Sequence, residues 1–373
     1  MSVRALEAAG SNRLVLRKFP RPAVADDALL IKVICCGVCG TDLANISGKR
    51  SLPFPVIPGH EVVGIVDEVG AKALAGMKVF GGEVSVGDLV AVNPRIECGR
   101  CYYCQNFPDH PTMCTGGRSY NSTITSADPP HLFGGWAECM YILPNSSIAK
   151  LPGGIDPEVA ALTEPFACAV TVLDRYQKER ISARGDTWGV SEAVIVYGVG
   201  AIGMLMVAGF HLAGAKRLIV VDTDEDKLQL ATKFGATEAI NARTTSPENR
   251  IAIVREHTEG LGAGVAVEAC GVPEVLGEAV RLLRRGGILY EMGHASSTRP
   301  AEIDPHAVCR NEITITGSYA YASTQCFVRA AKVLHEGALP YKELVCSFPL
   351  DEYEKVLFGK REKRPVKNVF RMC

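Results

Sequence analysis

The sequence predicts a two-domain α/β protein, in which an irregular β-rich domain accompanies a doubly wound parallel sheet. Three observations lead to this prediction. The chain has 373 residues, more than one hydrophobic core usually serves, and 47% of them are apolar. Its first part consists of short β-rich segments separated by turn residues. Its second part alternates apolar strands with helical stretches.

Short β-rich segments characterise the chain from Val3 to about Lys150. Glycine, proline and asparagine turns separate these segments, as is typical of an irregular β domain. The clearest candidate strands are residues 29–34, 62–69 and 89–92. The glycine-rich segment 71–86 is expected to be a surface loop.

From Val194 onward, apolar strands and helical stretches alternate, which predicts a parallel sheet with helices on both faces. The candidate strands are residues 194–197, 218–221, 238–240, 265–268, 287–291 and 313–316. The helical stretches are residues 201–212, 224–234, 247–257 and 273–283.

The chain loses this rhythm after Gly317, and the remainder is too short for a third core. We therefore expect it to return to the first domain, so that residues 1–165 and 318–373 form one domain and residues 166–317 the other. The strand at 313–316 is expected at a sheet edge, where it could pair with its copy in a homodimer or homotetramer.

Charge and composition exclude several classes of function. Lysine plus arginine (40) nearly balance aspartate plus glutamate (41), which disfavours a nucleic-acid partner. No stretch has the pattern of a secretory signal or the length of a membrane span. The 14 cysteines are too sparse for a disulfide scaffold, which indicates a reducing compartment. We expect a soluble, cytoplasmic protein that acts on a small molecule.

A glycine-rich turn follows the strand at 194–197 and opens a helix. The first glycine permits the tight turn, the second lets backbone approach a pyrophosphate, and the third lets the helix pack on the strand. The next strand ends at Asp222, nineteen residues beyond the last glycine, where a carboxylate can accept both hydroxyls of an adenosine ribose. The sequence of the turn is Gly198-Val199-Gly200-Ala201-Ile202-Gly203.

The residues after Asp222 favour NAD over NADP. They are Thr223, which is uncharged, and Asp224, Glu225 and Asp226, whose negative charges would repel a 2′-phosphate. The alternative is a purely structural role, in which the glycines form a tight turn and Asp222 caps the next helix.

Four cysteines lie within seventeen residues, with two-residue spacers between the first three. A structural zinc requires a closed tetrahedral set of ligands, and short spacers let the backbone wrap around the ion. The alternative is a cluster of free surface cysteines, which would oxidise readily. The predicted structural zinc ligands are Cys98, Cys101, Cys104 and Cys114.

A second set of potential ligands is scattered along the chain. Cys39, His60 with Glu61, and Glu164 together offer thiolate, imidazole and carboxylate groups, as a catalytic zinc with one free position requires. Taken singly, His60 could be an ordinary turn residue, Cys39 a small buried apolar residue and Glu164 the partner of a base at a domain edge.

These motifs together resemble the zinc-containing medium-chain alcohol dehydrogenases, and within them the sorbitol and threonine dehydrogenase branch. The resemblance covers nearly the whole chain and implies a GroES-like catalytic domain, a Rossmann domain and an active site between them. The motifs that carry it are Gly37-Val-Cys-Gly-Thr-Asp42, Pro58-Gly-His-Glu61, Gly87-Asp-Leu-Val90, the cysteine cluster, Thr163-Glu-Pro165, the glycine-rich turn and Val267-Glu-Ala-Cys-Gly271.

The resemblance also implies roles for individual residues. Cys39 and His60 would bind the catalytic zinc, Glu61 and Glu164 would be ligands or neighbouring carboxylates, and Thr41 would hold the substrate hydroxyl. Asp222 and Lys227 would bind the adenosine ribose. The other cofactor contacts would come from Cys270, Gly271, Met292, Gly293, His294 and Ser318, with Lys367 at the pyrophosphate.

Two departures from the family pattern bear on these roles. Nine residues separate Cys104 from Cys114, where seven are usual, so that Asp109 or His110 could intrude on the metal site. Ala44 stands where many relatives have a histidine that relays the proton outward. Asn45, a cofactor ribose or water would have to replace that histidine.

The activity implied is hydride transfer between a secondary alcohol and NAD, with two zinc ions per chain. A polyol, an amino alcohol and a cyclic alcohol all remain open as substrates. Two alternatives also remain: a zinc-independent quinone or alkene reductase of the same fold, and a catalytically silent relative.

Overall fold

The computed structural model describes residues 2–108, 110–184, 192–296, 299–321, 323–359 and 366–372. The chain forms two compact units. The first comprises Met1–Ala167 and Tyr321–Cys373, and the second comprises Cys168–Ala320. None of the helices in these ranges combines the length and the apolar character that a bilayer span requires.

The first unit is rich in short strands up to Lys150. Its strands there are β1 (Ser2–Gly10), β2 (Arg13–Pro20), β3 (Leu29–Gly37), β4 (Glu61–Val69), β5 (Lys78–Phe80), β6 (Leu89–Val92), β7 (Arg95–Ile96), β8 (Arg118–Ser119), β9 (Cys139–Ile142) and β10 (Ser147–Lys150). Its helices before the second unit are α1 (Gly40–Ile46), α2 (Ala73–Gly76), α3 (Tyr102–Asn106) and α4 (Pro157–Ala160), with the 3-10 turn Pro111–Met113.

Strand β3 lies at the centre of this unit. It pairs antiparallel with β4 on one side and with β9 on the other. Because it is covered on both edges and most of both faces, Lys32 is its only exposed residue. The core around it includes Trp136, whose ring packs edge-to-face on Phe370 at 5.2 Å between centroids.

The expectation of a loop over residues 71–86 is wrong in part, because this segment contains α2 and β5. Strand β5 pairs in parallel with β10, Lys78 lying opposite Ser147. The partner strand lies about seventy residues away in the sequence, so a local pattern rich in glycine does not reveal the pairing.

The second unit is a doubly wound parallel sheet, as the sequence predicts. Its strands are β11 (Ala193–Tyr197), β12 (Arg217–Asp222), β13 (Glu238–Asn241), β14 (Ala263–Glu268), β15 (Leu283–Glu291) and β16 (Thr314–Gly317). Its helices are α5 (Thr163–Arg184), α6 (Ala201–Leu212), α7 (Glu225–Lys233), α8 (Pro247–Glu256), α9 (Pro273–Leu282), α10 (Pro305–Arg310) and the 3-10 turn Gly293–Ser296.

The order of strands in this sheet is β13-β12-β11-β14-β15-β16, with all neighbours parallel. Chain order therefore reverses between β11 and β14, which is where such sheets bind their ligands, at the carboxyl ends of the strands. Helix α5, which begins in the first unit, was not predicted. Its first ten residues, except Glu164, are buried, so they lack the amphipathic period that marks a helix.

After the second unit the chain rejoins the first. The elements there are α11 (Gln325–Glu336), β17 (Val345–Pro349), α12 (Tyr353–Phe358), β18 (Lys367–Arg371) and two 3-10 turns, Tyr341–Leu344 and Leu350–Glu352. Strand β18 pairs with β17 and with the end of β3, Val369 lying opposite Gly37. This pairing completes an eight-stranded sheet and brings Lys367 close to the start of β4.

Candidate functional site

Three potential metal ligands meet where β3 ends and β4 begins. Gly37 closes β3 opposite Glu61, the first residue of β4, and Cys39 is the residue that precedes α1. The thiol of Cys39, a ring nitrogen of His60 and a carboxylate oxygen of Glu61 lie within 4.8 Å of one another. The strand register therefore unites residues that lie far apart in the sequence.

A glycine turn presents His60. Gly59 has φ of +91°, a conformation that side chains other than glycine rarely adopt. A β-carbon there would also lie 2.8 Å from the sulfur of Cys36 and would overlap the Trp136 ring. The Pro-Gly-His pattern is thus explained by a backbone that passes close to the core just before His60.

Asp42 bonds both Cys39 and His60, although it was not singled out in the sequence. Its Oδ2 accepts the backbone N–H of Cys39 at 3.0 Å, and its Oδ1 accepts from Nδ1 of His60 at 3.1 Å. Asn121 donates to the same Oδ1 at 3.3 Å. Because Nδ1 of His60 is occupied, Nε2 is left for a ligand, an arrangement that is usual for metal-binding histidines.

The pKa values of this pair reflect its burial and its charges. Burial opposes ionisation of both Asp42 and His60, but their mutual attraction outweighs it. The pKa of Asp42 is therefore lowered, and that of His60 is raised well above its usual value.

Glu61 is only 1% exposed and forms an ion pair that sequence analysis missed. Its Oε1 bonds the ammonium of Lys367, which also donates to the carbonyl of Val38 at 3.2 Å. Burial by itself would lower the pKa of Lys367. The negative charge of Glu61 outweighs this effect and raises the pKa above its usual value, so that the ammonium stays charged. The resemblance places Lys367 at the pyrophosphate instead. That role remains a prediction, which this buried ion pair disfavours.

The second oxygen of Glu61 supplies a test of whether the site fits a metal. Oε2 is buried and has no hydrogen-bond partner among the described residues. A buried carboxylate oxygen without a partner is costly, and a cation is one group that would satisfy it. The donor set of thiolate, imidazole and carboxylate is one that zinc accepts.

Glu164, the other candidate carboxylate, lies in the first turn of α5 and near these groups, but it does not belong to the close group of three. Burial raises its pKa to about 7; the charge of Glu61 adds to this shift, and that of His60 opposes it. A carboxyl group with this pKa can be neutral or charged near neutral pH, so its contact with a metal could change with protonation.

Helix α1 carries the residues that were considered for proton transfer. Thr41 and Ala44 are partly buried, and Thr41 is the second residue of the helix. Asn45, one turn further on, is only 2% exposed, and neither atom of its amide has a partner in the part of the chain that the structure describes.

The four clustered cysteines also come together. The sulfur of Cys101 lies 3.5 Å from that of Cys104 and 3.9 Å from that of Cys114, and Cys98 lies 3.9 Å from Cys104. Four sulfurs around a zinc ion at ~2.3 Å in tetrahedral geometry would be roughly 3.8 Å apart. The structure thus brings Cys114 into the group, and the Pro111–Met113 turn takes up the longer spacer. Asp109 lies outside the described residues.

Two of these thiols have lowered pKa values, which favours their ionised forms. Backbone N–H groups of Cys104 and Thr115 lower the pKa of Cys101 to about 5. Backbone N–H groups of Arg100 and Cys101 lower that of Cys98. Burial raises the pKa of Cys104 to about 12. Ionised thiols side by side repel one another, and a bound cation would remove that repulsion.

The glycine-rich turn follows β11 in the second unit. Gly198 has φ of +84°, and a β-carbon on Gly203 would overlap the carbonyl oxygen of Gly198, so both positions require glycine for the fold itself. Gly200 differs, because a β-carbon there meets no described atom within 4 Å. The described fold itself does not require glycine there, and open backbone at this position is what a closely approaching pyrophosphate would need.

Replacing each of these two glycines by alanine should affect cofactor binding in one variant and stability in the other. We expect Gly200→Ala to keep its thermal stability but to weaken dinucleotide binding at least tenfold, about 1.4 kcal/mol. Gly203→Ala should instead destabilise the protein by about 1–3 kcal/mol, because the added methyl forces helix and turn apart. Calorimetric titration with NADH and thermal unfolding measure the two effects, and unchanged NADH affinity in Gly200→Ala would contradict this role.

Asp222 ends β12 beside the same turn. Its Oδ2 accepts the backbone N–H of Val199 at 2.7 Å, and its Oδ1 accepts those of Thr223 and Asp224. Lys227, in α7, lies 3.8 Å from Asp224. The carboxylate of Asp222 is thus held at the carboxyl edge of the sheet, next to the turn that would hold the phosphates.

The remaining predicted cofactor residues surround Glu268, the last residue of β14. Glu268 accepts the backbone N–H groups of Cys270 at 2.8 Å, Gly271 at 2.6 Å and Gly293 at 3.1 Å. Met292 donates its backbone N–H to the carbonyl of Glu268. His294 follows in the 3-10 turn, and Ser318 follows β16. All of these residues lie at the carboxyl ends of neighbouring parallel strands.

Comparison with known proteins gives consistent family matches in both parts of the chain. Residues 25–153 match the model of the alcohol dehydrogenase GroES-like domain, and residues 201–336 match that of zinc-binding dehydrogenases. D-arabinitol dehydrogenase 1 from Uromyces fabae is 30% identical over 338 residues, covering 90% of this chain and 87% of its own.

Solved structures agree with these matches. An alcohol dehydrogenase from Thermotoga maritima superposes with a TM-score of 0.89 at 26% identity, covering 100% of this chain and 99% of its own. A Sinorhizobium meliloti protein bound to NADP has a TM-score of 0.84, also at 26% identity, and both chains are covered completely. On these matches in sequence and structure, the chain belongs to the zinc-containing medium-chain alcohol dehydrogenase family.

Proposed function

We propose that this enzyme transfers a hydride between a secondary alcohol and NAD, with zinc held by Cys39, His60 and a carboxylate. The observation that carries this proposal is the group of Cys39, His60 and Glu61, in which a buried carboxylate oxygen lacks a partner. The same chain has a glycine turn with open space at Gly200, as a nicotinamide dinucleotide requires.

The ligands of this zinc are assigned from their contacts. Cys39 supplies a thiolate, His60 supplies Nε2 because Asp42 holds Nδ1, and Glu61 supplies Oε2 because Lys367 holds Oε1. Glu164 is proposed as a neighbouring carboxylate that exchanges with water as a ligand when the substrate arrives, since it lies near His60 and Glu61 but outside the close group of three.

Zinc bound in this group would supply Lewis-acid polarisation of the alcohol, which lowers the pKa of its hydroxyl group. The chain supplies the rest. The hydroxyl of Thr41 accepts the proton of the alcohol as it passes its own proton on, and Asp42 keeps the His60 ring in one orientation. Lys367 offsets the negative charge of Glu61. Ala44 cannot carry the proton outward, so we assign the next step to Asn45, a cofactor ribose or water.

The choice of NAD depends on this chain's own residues, because a structural relative is bound to NADP. Asp222 ends β12 beside the glycine turn, from which a carboxylate would reach the 2′-hydroxyl of the ribose, and Thr223 offers no positive charge to a 2′-phosphate. We therefore propose NAD as the physiological cofactor.

Replacing Asp222 should reverse this preference. The double variant Asp222→Gly with Thr223→Arg is expected to lower the NAD to NADP ratio of kcat/KM at least tenfold, because repulsion is removed and a phosphate partner added. Asp226→Asn, which removes one exposed negative charge nearby but leaves Asp222 in place, is the control and should lower the ratio much less than the double variant does. A wild-type enzyme that already prefers NADP would contradict the assignment.

We further propose Cys98, Cys101, Cys104 and Cys114 as the ligands of a second, structural zinc, which gives two ions per chain.

A polyol is the favoured substrate class, since the D-arabinitol dehydrogenase of Uromyces fabae is a relative. Strand β16 lies at the edge of its sheet, with Ile315 39% exposed, and supports a homo-oligomer formed across that edge. None of the described cysteines forms a disulfide, which supports a reducing, cytoplasmic location.

The proposed activity can be tested with a panel of polyols, amino alcohols and cyclic alcohols supplied with NAD. Formation of NADH, measured by absorbance, is expected with at least one secondary alcohol. Reduction of quinones or activated alkenes, without oxidation of any alcohol, would favour the zinc-independent reductase instead.

A further inference from the structure

The two halves of the parallel sheet place a carboxylate in corresponding positions. Strands β11, β12 and β13 form one half, and β14, β15 and β16 form the other. Asp222 is the last residue of β12, the second strand of its half, and Glu291 is the last residue of β15, the second strand of the other. In such sheets each half binds one nucleotide of a dinucleotide.

Glu291 is held by one oxygen only. Its Oε1 accepts the backbone N–H of His294 at 2.9 Å and the Nδ1 of the same ring at 2.8 Å. The ring is steadied further by Glu268, whose Oε2 lies 3.3 Å from Nδ1. Glu268 is fully buried and is fixed in turn by backbone N–H groups. The orientation of Glu291 is therefore set by a rigid neighbourhood.

The remaining polar atoms in this region lack partners. Oε2 of Glu291, Nε2 of His294 and Oγ of Ser318 are all buried and have no hydrogen bond within the described ranges of the chain. Ser318 is 4% exposed and adjoins Glu291, since its backbone N–H donates to the Glu291 carbonyl at 2.8 Å. Several unpaired polar atoms at one sheet edge indicate a ligand that supplies the missing bonds.

The chemistry of these atoms indicates which part of a dinucleotide would bind here. A carboxylate oxygen accepts hydrogen bonds, and the sugar hydroxyls of a nucleoside donate them. Burial raises the pKa of Glu291, as expected of a carboxylate whose free oxygen is not yet satisfied. Asp222 would offer the same group to the adenosine ribose. Each half of the sheet would therefore bind one ribose through a carboxylate at the end of its second strand.

We propose that Glu291 binds the ribose hydroxyls of the nicotinamide nucleoside, with His294 orienting its carboxylate and Ser318 offering a further hydroxyl. This inference rests on the proposed function, because it requires a nicotinamide dinucleotide. A divalent cation is the competing occupant, since Glu268, Glu291 and His294 offer ligand atoms within 4.8 Å of one another. Hydrogen bonds from His294 and the backbone already explain that closeness, so a cation is not required.

Three ligands of increasing length test the proposal: ADP, ADP-ribose and NADH. In Glu291→Gln we expect affinity for NADH and for ADP-ribose to fall about tenfold, and affinity for ADP to stay within twofold of wild type. Ser318→Ala should show the same selectivity with a smaller loss. Asp222→Asn is the matched control, and it should weaken all three ligands, because each contains the adenosine ribose.

Several results would overturn this assignment. Unchanged affinity for NADH in both Glu291→Gln and Ser318→Ala would do so, as would weakened NADH with unchanged ADP-ribose, which would place the contact at the nicotinamide ring. Loss of a third bound metal ion in Glu291→Gln would favour the cation. Failure of the wild-type protein to bind NADH would instead refute the proposed function, so the two failures are distinguishable.

Discussion

Replacing Cys39 with serine is expected to abolish turnover and leave dinucleotide binding intact. Serine replaces the thiol with a hydroxyl group of similar size, but it does not offer the thiolate that would hold zinc beside His60 and Glu61. We expect kcat to fall at least about a thousandfold, equivalent to about 4 kcal/mol in the barrier. The affinity for NADH should stay within twofold, because the glycine turn and Asp222 belong to the other unit.

Metal content supplies the second readout for this variant. Mass spectrometry of the purified protein should find one zinc ion fewer per chain in Cys39→Ser than in wild type. Cys309→Ser, which alters an exposed cysteine in α10, is the control and should retain both metal and activity. Turnover at the wild-type rate by Cys39→Ser depleted of zinc would remove Cys39 from the site.

Replacing Cys101 with serine is expected to cost the other zinc ion and much of the stability around it. Its pKa of about 5 marks it as an ionised thiol, and its sulfur lies within 3.9 Å of both Cys104 and Cys114. No residue of α3 is buried in a core, since all of them are at least partly exposed. A closed metal site is therefore what we expect to fix this segment, and losing it should cost more than about 4 kcal/mol.

The two zinc variants control for each other. Cys101→Ser should lose one ion, unfold at lower temperature and become sensitive to proteolysis between residues 98 and 114. Cys39→Ser should lose one ion without that sensitivity, and the double variant should bind none. A Cys101→Ser protein with two zinc ions and wild-type stability would show that the four sulfurs do not form a metal site.

The second unit was predictable because each of its signals is local. The strand, glycine turn, helix and acidic residue follow one another from β11 to Asp222, so sequence order alone determines where they lie. The predicted parallel pairing of the sheet was confirmed. Helix α5 escaped prediction because its first turns are buried nearly all round, and β5 escaped because its only evidence is a partner strand far along the chain.

The sequence predicted the potential metal ligands of the candidate site, but not the residues that hold those ligands in place. Cys39, His60 and Glu61 were named from motifs, and the register of β3 with β4 explains why they meet. Asn121 and Lys367 come from a long loop and from the last strand, so only the folded chain shows that they contact Asp42 and Glu61. Glu291 belongs to no motif, and its place became clear only from the strand order.

The most direct test of zinc-dependent alcohol oxidation is NADH formation before and after removal of the metal. With a secondary alcohol and NAD, the chelator-treated enzyme should show no activity above background, and added zinc should restore the original rate. NADH binding, measured alongside by calorimetry, should persist throughout. Alcohol oxidation that continues at full rate in the metal-free enzyme would contradict the central claim.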